Sequence, residues 1–390
     1  MSSTEWSPTP TALWLLREGW QIADSEQLAE QVSLRLQAEG LSLIRAFFGI
    51  PSLHPLYFAS AAIWRRDRPG EYLLGAHRDR RGALLGTSPL RGLEEATEVR
   101  HRLDGSEDVS WSDVLVQFRG EGGTDYAAFT LPFFGQQNGV ASFVTDAPGG
   151  YTEADLDRLR RLLPALGRVL DLRSVHDTAT NLLNTYVGRD AGERILRGRI
   201  QRGDVERIDA AILFCDLRGF TAMSRRLDGD ALVGTLNAFF DAVAEPVTQR
   251  GGEVLKFMGD GLLAIFSSER RGGAEAACAD AIAAAEEALD ALEAGNAARE
   301  AAGLPALTCG MALHLGEVFY GNIGAADRLD FTVIGAAVNL ASRLEGLCKQ
   351  LEVPLVMSAD FAARCGRQPR SLGSHRVRGL EEAVEVFGVG

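Results

Sequence analysis

Two aspartates stand where an acidic side chain needs a counter-charge. Asp216 ends the apolar run of residues 210–215, and Asp260 lies in a Gly-Asp-Gly turn between the predicted strands 253–258 and 262–266. A carboxylate at the end of a buried strand is costly unless it is neutralised, and two on adjacent strands repel each other. Divalent cations between them would remove both penalties. Taken alone, Asp260 before Gly261 is more typical of a hairpin turn, so the metal interpretation depends on the pair.

Two further groups of residues have the chemistry to bind a nucleotide. Gly219, Phe220 and Thr221 follow Asp216 and precede a helical pattern, where free backbone N–H groups favour phosphate. Asn339 and Arg343 are four residues apart and share a helix face, where an amide can orient a sugar oxygen and a guanidinium can stabilise a phosphoryl group. Each group alone fits a blander interpretation, as a capped loop and as a solvent-facing pair.

Together these residues, in this order, resemble the class III nucleotidyl cyclase catalytic domain over about residues 207–390. The matching segments are residues 214–221, 256–261, 314–317, 321–324 and 333–345. The resemblance implies an α/β sandwich with a ferredoxin-like core. It also implies two Mg²⁺ or Mn²⁺ ions per site, held by Asp216 and Asp260. The ribose 3′-hydroxyl would attack the α-phosphorus in line, so that pyrophosphate leaves.

The resemblance assigns roles to further positions. Asn339 would position the ribose, and Arg343 would stabilise the negative charge that develops on the α-phosphate. Gly219, Phe220 and Thr221 would contact the phosphates, and Arg378 matches a basic residue for the terminal phosphates. One departure is Gly310, which occupies a position where many members carry arginine.

Two residues bear on the choice of base. Lys256 matches the lysine of the family's adenine-binding members, and Thr332 lies seven residues before Asn339, at the second base-contacting position. Lysine can donate to adenine N1, and the threonine hydroxyl can accept from the 6-amino group. Guanylyl enzymes usually carry glutamate at the lysine position. The sequence therefore predicts an adenylyl cyclase acting on ATP. The alternatives are a guanylyl cyclase and a non-catalytic nucleotide-binding signalling module.

The family's site lies between two catalytic domains, and this chain carries both halves of the residue set on one such domain. The resemblance therefore implies a head-to-tail homodimer with two equivalent sites.

The first 150 residues have a different pattern. A helix over residues 28–36, strands over 41–48 and 56–64, and a hairpin of 126–134 and 139–144 are predicted, with residues 111–118 either helix or strand. This order, closed by a helix near Thr152, resembles a GAF-type sensor domain, mainly through residues 131–134, 138–140 and 152–156. The resemblance implies regulation by an unidentified small molecule or ion. We expect an α+β protein with this GAF-like α/β domain at residues 1–150 and the catalytic domain at 207–390.

Residues 151–206 connect the two predicted domains. A stripe of leucines with spacings of 3, 4, 3 and 4 marks a helix that begins near Thr152, and a second helical segment spans residues 179–196. The stripe comprises Leu156, Leu159, Leu163, Leu166 and Leu170. It fits either a parallel dimer connector, which is our prediction, or a helix packed on its own domain.

In the catalytic region the pattern alternates between strands and helices. Strands are predicted at residues 210–215, 253–258, 262–266, 307–313, 318–322, 354–357 and 384–389, and helices at 231–250, 274–302 and 336–351.

Composition excludes several classes of protein. The 390 residues are 46% hydrophobic and 24% charged, which is typical of a globular chain, and the net charge of −13 argues against nucleic-acid binding. No apolar run reaches the length of a membrane helix, and the first ten residues lack the pattern of a secretory signal. Five cysteines without a Cys-x-x-Cys pair favour reduced thiols and a cytoplasmic location.

Overall fold

A computed structural model describes residues 9–77, 87–135, 137–378 and 382–389. The chain forms two compact units, Met1–Leu182 and Leu183–Gly390. Gln136, in the predicted hairpin turn of residues 135–138, lies outside the described residues.

The first unit is built on a six-stranded antiparallel sheet with strand order β3-β2-β1-β6-β5-β4. Its strands are β1 (Arg45–Pro51), β2 (Tyr57–Arg65), β3 (Arg68–Ala76), β4 (Glu98–Arg102), β5 (Asp125–Leu131) and β6 (Gly139–Thr145). Its helices are α1 (Pro10–Arg17), α2 (Ser25–Ala38), α3 (Asp113–Gly120) and α4 (Glu153–Val187), the last of which extends into the second unit. The predicted helix 28–36 and the predicted hairpin are confirmed, and residues 113–120 are helical.

Helices pack on both faces of this sheet. Alternate residues of each strand point to opposite faces, so neighbouring residues join different cores. In β5, Ala127 and Phe129 join a core with α1, α2 and α4, whereas Tyr126 and Ala128 join a smaller core with α3. The sheet is therefore the middle layer of the unit.

The leucine stripe of α4 packs inside the first unit. Leu156, Leu159, Leu166 and Leu170 are at most 2% exposed, and Leu163 packs against the same core. The prediction that this stripe holds two chains together is therefore wrong, because its apolar surface is already buried against the chain's own sheet. The spacing of the stripe was correct, but its partner is intramolecular.

The second unit is an eight-stranded mixed sheet with order β13-β14-β12-β10-β7-β9-β8, in which β11 also pairs with β10. Its strands are β7 (Val205–Leu217), β8 (Glu253–Met258), β9 (Gly261–Ser267), β10 (Cys309–Gly324), β11 (Leu329–Ile334), β12 (Leu355–Ser358), β13 (Arg370–Arg376) and β14 (Ala383–Gly388). Its helices are α5 (Arg189–Leu196), α6 (Phe220–Met223), α7 (Gly229–Gln249), α8 (Ser268–Arg271), α9 (Ala274–Ala301), α10 (Ala336–Leu351) and α11 (Ala359–Ala362). The mixed α and β composition that the sequence predicts is confirmed.

Helices cover both faces of the second sheet. Odd-numbered residues of β7 from 211 to 217 pack with α7 and α9, whereas Ala210 and Ile212 pack with α5 and α10. Asp216 has the parity of Ala210 and Ile212, so its side chain lies on the α10 face.

The two strands predicted at residues 307–313 and 318–322 are one strand, β10. It pairs with β7 without interruption from Cys309 to Gly321. Gly316 lies between the two predicted strands, and its role is steric, since a Cβ there would lie 2.7 Å from the Cβ of Ala337 on α10. The glycine lets the helix approach the strand closely.

The second predicted helical segment, residues 179–196, is also divided differently. Helix α4 continues through Pro164 to Val187, and Gly188, with φ of 92°, separates it from α5. A left-handed φ suits glycine and ends a helix, so the break falls inside the segment rather than before it.

Among the described residues, no helix is both long and apolar enough to cross a membrane. All five cysteines are free and buried, which confirms the prediction of unpaired thiols.

We expect Leu159→Ala to lower the free energy of unfolding of the first unit by about 2–5 kcal/mol, because it empties a fully buried position. Every tryptophan lies before residue 112, so urea unfolding followed by tryptophan fluorescence reports on this unit. The matched control is Leu34→Ala on α2 of the same unit, where the side chain is 44% exposed and the change should stay within about 0.5 kcal/mol. Equal losses in the two variants would contradict the intramolecular packing of the stripe.

Candidate functional site

Asp216 lies next to the end of β7, between two glycines on neighbouring strands. It pairs in register with Gly310 of β10 and with Gly261 of β9. The glycines leave the carboxylate without side-chain neighbours along the ladder on either side. Burial, and then the charge of Asp260, raise the pKa of Asp216 above its usual range.

Asp260 occupies the turn between β8 and β9, so the hairpin interpretation of this residue is also correct. The N–H of Leu217 donates to the backbone carbonyl of Asp260 at 3.1 Å, which ties the turn to the end of β7. The two predicted metal-binding aspartates are therefore close enough to repel each other, at one edge of the sheet.

The two carboxylates at this edge suit a hard cation whose remaining ligands do not come from the protein. Two carboxylates supply oxygen ligands, and no cluster of three or more His, Cys, Asp or Glu side chains suited to a metal is found within the described part of the chain. Mg²⁺ is typically bound by one or two carboxylates together with substrate phosphates. Asp216 and Asp260 match that mode rather than a site made wholly of protein ligands.

Residues 219–221 follow Asp216 as a tight turn. Gly219, with φ of 76°, precedes the four-residue helix α6, and Phe220 packs against the core shared with α7 and α9. The helix that the sequence predicts after Thr221 is thus a single turn. The contact of this segment with phosphate remains a prediction.

Lys256 and Thr332 lie on β8 and β11. The Lys256 ammonium donates to Asp330 Oδ2 at 2.6 Å, and Asp330 shares a strand face with Thr332 two residues later. Thr332 is 5% exposed, and its hydroxyl has no hydrogen-bond partner among the described residues. Sequence reasoning missed Asp330, although its spacing of two from Thr332 was a signal.

Asn339 and Arg343 are both exposed on α10, on the side opposite its buried residues. Ala337, Ala341 and Leu344 face the sheet and are at most 8% exposed. The predicted pairing of Asn339 and Arg343 on one helix face is consistent with this burial pattern.

Glu345 is a second residue that sequence reasoning missed. Its Oε1 occupies the space that a Cβ at Gly310 would need, so it lies on the α10 face beside Asp216. Burial, then the charge of Asp216, raise the pKa of Glu345 to about 7, with Arg218 opposing and Asp260 adding to the rise. With glycine at position 310, no cationic side chain at that position balances this carboxyl group.

The helix geometry separates Glu345 from the pair Asn339 and Arg343. At 3.6 residues per turn, Arg343 is rotated by about 200° from Glu345, and Asn339 by about 120°. Glu345 faces the two aspartates of its own chain. Asn339 and Arg343 therefore point away from those aspartates, and one chain does not bring the two halves of the predicted site together.

Arg378 lies just after β13 and is exposed. The preceding residue, Val377, is buried in the core that contains Leu344 and Leu347 of α10. The contact of Arg378 with the terminal phosphates remains a prediction.

Residues 204–387 match the family model of the Adenylate and Guanylate cyclase catalytic domain. This region is a class III nucleotidyl cyclase catalytic domain. Adenylate cyclase 1 of Rhizobium meliloti (strain 1021) is 32% identical over 187 residues, 47% of this chain and 28% of that protein. The adenylate cyclase of Anabaena cylindrica is 33% identical over 185 residues, 46% of this chain and 36% of that protein. The matches thus cover little more than a third of these relatives at most.

Solved structures of class III cyclases are also similar to this catalytic domain. The adenylyl cyclase CyaB from P. aeruginosa is 28% identical, covering 48% of this chain and 96% of that one, with a TM-score of 0.45. The guanylyl cyclase Cya2 is 31% identical, covering 48% and 95%, with a TM-score of 0.41. Because both scores are below 0.5, these likenesses do not bear on the fold or the substrate.

We expect Glu345→Gln to raise the free energy of unfolding of the metal-free protein at high pH. The folded pKa of about 7 exceeds the ordinary value of 4.5, so the stability from this carboxyl is full at low pH and is lost as pH rises through about 7. Because Glu345 is partly exposed, the gain from glutamine should be about 1 kcal/mol near pH 8 and close to zero near pH 5. Urea unfolding in EDTA, followed by circular dichroism, measures it.

The matched control is Glu300→Gln, an exposed acid on α9, which should change the free energy of unfolding by no more than about 0.5 kcal/mol. A pH-independent effect of Glu345→Gln would mean that neither burial nor the aspartates raise the pKa of Glu345.

Proposed function

We propose that this protein is an adenylyl cyclase that converts ATP to 3′,5′-cyclic AMP and pyrophosphate, with each active site formed by two copies of the chain. The observation that carries the proposal is the pair Asp216 and Asp260, two mutually repelling carboxylates at one sheet edge within a class III cyclase domain. Such a pair is stable and useful when divalent cations and a triphosphate share the site.

Mg²⁺ or Mn²⁺ held by Asp216 and Asp260 would neutralise the triphosphate and lower the pKa of the ribose 3′-hydroxyl. The side chains then have separate tasks. Asn339 orients the ribose so that its 3′-oxygen is in line with the α-phosphorus, and Arg343 stabilises the charge that develops there. Residues 219–221 and Arg378 contact the phosphates, and pyrophosphate is the leaving group.

The homodimer is supported by the directions in which the side chains of α10 point. Glu345 faces its own chain's aspartates, so Asn339 and Arg343 on the other side of the helix are available to another subunit. Reciprocal exchange of this kind gives two equivalent sites related by a two-fold axis.

ATP is proposed as the substrate because of Lys256 and Thr332. Lys256 presents a point-like donor that Asp330 orients, which suits the acceptor N1 of adenine. The buried, unpaired hydroxyl of Thr332 can accept from the 6-amino group. Guanine has a donor at N1, which would face the Lys256 ammonium as a second donor, whereas the Thr332 hydroxyl could still donate to guanine O6. A guanylyl cyclase is therefore the second candidate, and Lys256 is the residue that disfavours it.

Regulation is proposed for the first unit, which we retain as a GAF-like sensor domain. Helix α4 carries the core leucines of that unit and continues into the catalytic unit as far as Val187. A change in the first unit therefore has a continuous helix through which to act on residues 183–187. The part of α4 after Leu170, where Leu172 and Val175 are exposed, is the proposed connector between two chains.

Subunit mixing tests both the metal assignment and the shared site. We expect Asp216→Asn and Arg343→Ala each to abolish cyclic AMP formation from ATP and Mn²⁺. Mixed in equal amounts and allowed to exchange, the two variants should regain about a quarter of wild-type activity, because half of the dimers carry one intact site. Cyclic AMP is measured by chromatography.

The control is Asp209→Asn, an exposed acid on the same strand β7, which should retain full activity. Activity in Asp216→Asn alone would contradict the metal assignment. Mixed dimers that form, as detected by differently tagged subunits, but stay inactive would contradict the two-chain site.

Base recognition is tested by Lys256→Glu combined with Thr332→Cys. Replacing the donor by an acceptor and removing the hydroxyl should lower the ratio of kcat/KM for ATP to that for GTP by about tenfold or more. Lys349→Glu, the same charge reversal at an exposed position of α10, should leave the ratio unchanged. An unaltered ratio in the double variant would contradict this recognition scheme.

A further inference from the structure

The first unit contains a cavity of about 290 Å³ between the sheet and the C-terminal half of α4. Strands β1 to β3 form one wall, and helix residues 174–181 form the other. Its volume is near the lower end of the range for small-molecule sites. All the lining residues belong to this one unit, so the cavity is complete within a single chain.

The wall contributed by α4 changes its chemistry at the cavity. The leucine stripe ends at Leu170, but its spacing of four and three residues continues through Ser174, Asp177 and Asn181. The face that packs on the sheet through leucines therefore becomes polar where the cavity begins. Packing alone would favour further leucines there.

One polar atom in this wall has no partner. Thr180 Oγ1 is buried and forms no hydrogen bond with any described residue, whereas the neighbouring Ser174 hydroxyl donates to the carbonyl of Pro51 at 3.0 Å. A buried hydroxyl without a partner is unfavourable, so a group that enters the cavity and pairs with it would gain from doing so.

The opposite wall contains three aromatic side chains among aliphatic and serine residues. The rings of His54 and Tyr57 stack at 4.9 Å between centroids, and Tyr72 lines the same space. The N–H of Leu56 donates to His54 Nδ1 at 3.1 Å, so a neutral His54 ring carries its proton on Nε2 and remains a donor. Flat aromatic surfaces favour a planar ligand.

The charge of the lining restricts the ligand further. Asp177 is the acid of the lining, and no lysine or arginine is among the lining residues described. Arg173, one turn earlier on α4, interacts with the charge of Asp177, but it lies outside the lining and donates to Ala23 and Ser25. Within the lining, an anion would therefore meet a carboxylate and no cation, whereas a neutral or cationic group would not be repelled.

We propose that this cavity binds a small aromatic ligand that is neutral or positively charged, with its ring against His54, Tyr57 and Tyr72 and a polar group paired with Thr180. Binding at this site does not depend on the cyclase reaction. That such a ligand also alters cyclic AMP synthesis through α4 is a further step, and that step rests on the proposed function.

The binding test uses three probes that share a phenol ring: tyramine (cationic), 4-ethylphenol (neutral) and 4-hydroxyphenylacetate (anionic). Saturation-transfer NMR and calorimetry on the full chain should give dissociation constants of about 1 mM or tighter for the first two probes. The anion should bind at least about tenfold more weakly, and Asp177→Asn should reduce that difference. Glu30→Gln, an exposed acid on α2, is the control and should leave all three affinities unchanged.

Thr180→Val separates a ligand-binding role from a structural one. Removing an unpaired hydroxyl should leave the stability of the free protein unchanged or raise it, while weakening tyramine binding severalfold. Thr180→Phe, which fills the cavity, should abolish binding of every probe. Absence of binding by all three probes up to about 10 mM, or binding that survives Thr180→Phe, would overturn the proposal.

A cyclase assay with saturating tyramine distinguishes binding of the ligand from its effect on cyclic AMP synthesis. Binding with unchanged cyclic AMP synthesis would leave the site in place and overturn its coupling to catalysis. Binding to a chain that makes no cyclic AMP at all would contradict the proposed function but not the cavity.

Discussion

The repulsion between Asp216 and Asp260 is the constraint on which the catalytic unit depends. The β7 ladder fixes one carboxylate between Gly261 and Gly310, and a backbone hydrogen bond fixes the turn that carries the other. Because the backbone hydrogen bonds hold the two aspartates near each other, their charges repel, and a divalent cation between them would relieve that repulsion. Glu345 adds a third acidic group at this edge, and its pKa of about 7 means that it takes up a proton more readily than an isolated glutamate.

Local patterns predicted the secondary structure of the catalytic unit well, and long-range relations escaped them. Helix α10 was predicted over its whole observed span, because its apolar spacing is a property of the segment itself. The division of β10 into two strands was wrong, since a glycine that admits a neighbouring helix, such as Gly316, is indistinguishable in sequence from one that bends a strand. The partner of the leucine stripe was predicted wrongly for a related reason. A helix that packs on a sheet and a helix that packs on a second chain need the same spacing of leucines. Asp330 and Glu345 were missed because their partners come from other elements.

Lysine usage gives an independent view of base recognition. The sequence contains two lysines, Lys256 and Lys349, among 40 basic residues. Arginine serves nearly everywhere that this protein needs a positive charge, yet lysine stands beside Asp330 at the predicted base-contacting position. A planar guanidinium has several donors in a fixed fork, whereas an ammonium offers a compact donor that fits a single ring nitrogen. The lysine at this position therefore supports the proposed contact with the N1 nitrogen of adenine.

The burial of every cysteine has a practical consequence. Burial raises the pKa of Cys278 and Cys348 to about 12 and that of Cys215 well above its ordinary value, so these thiols are almost entirely protonated under physiological conditions. Cys309 and Cys365 are shielded from reagents by their burial. Maleimides and peroxides react with exposed thiolates, so the native chain presents them with little to attack. A single cysteine engineered at an exposed position could then carry a spin label or fluorophore without removal of the native five.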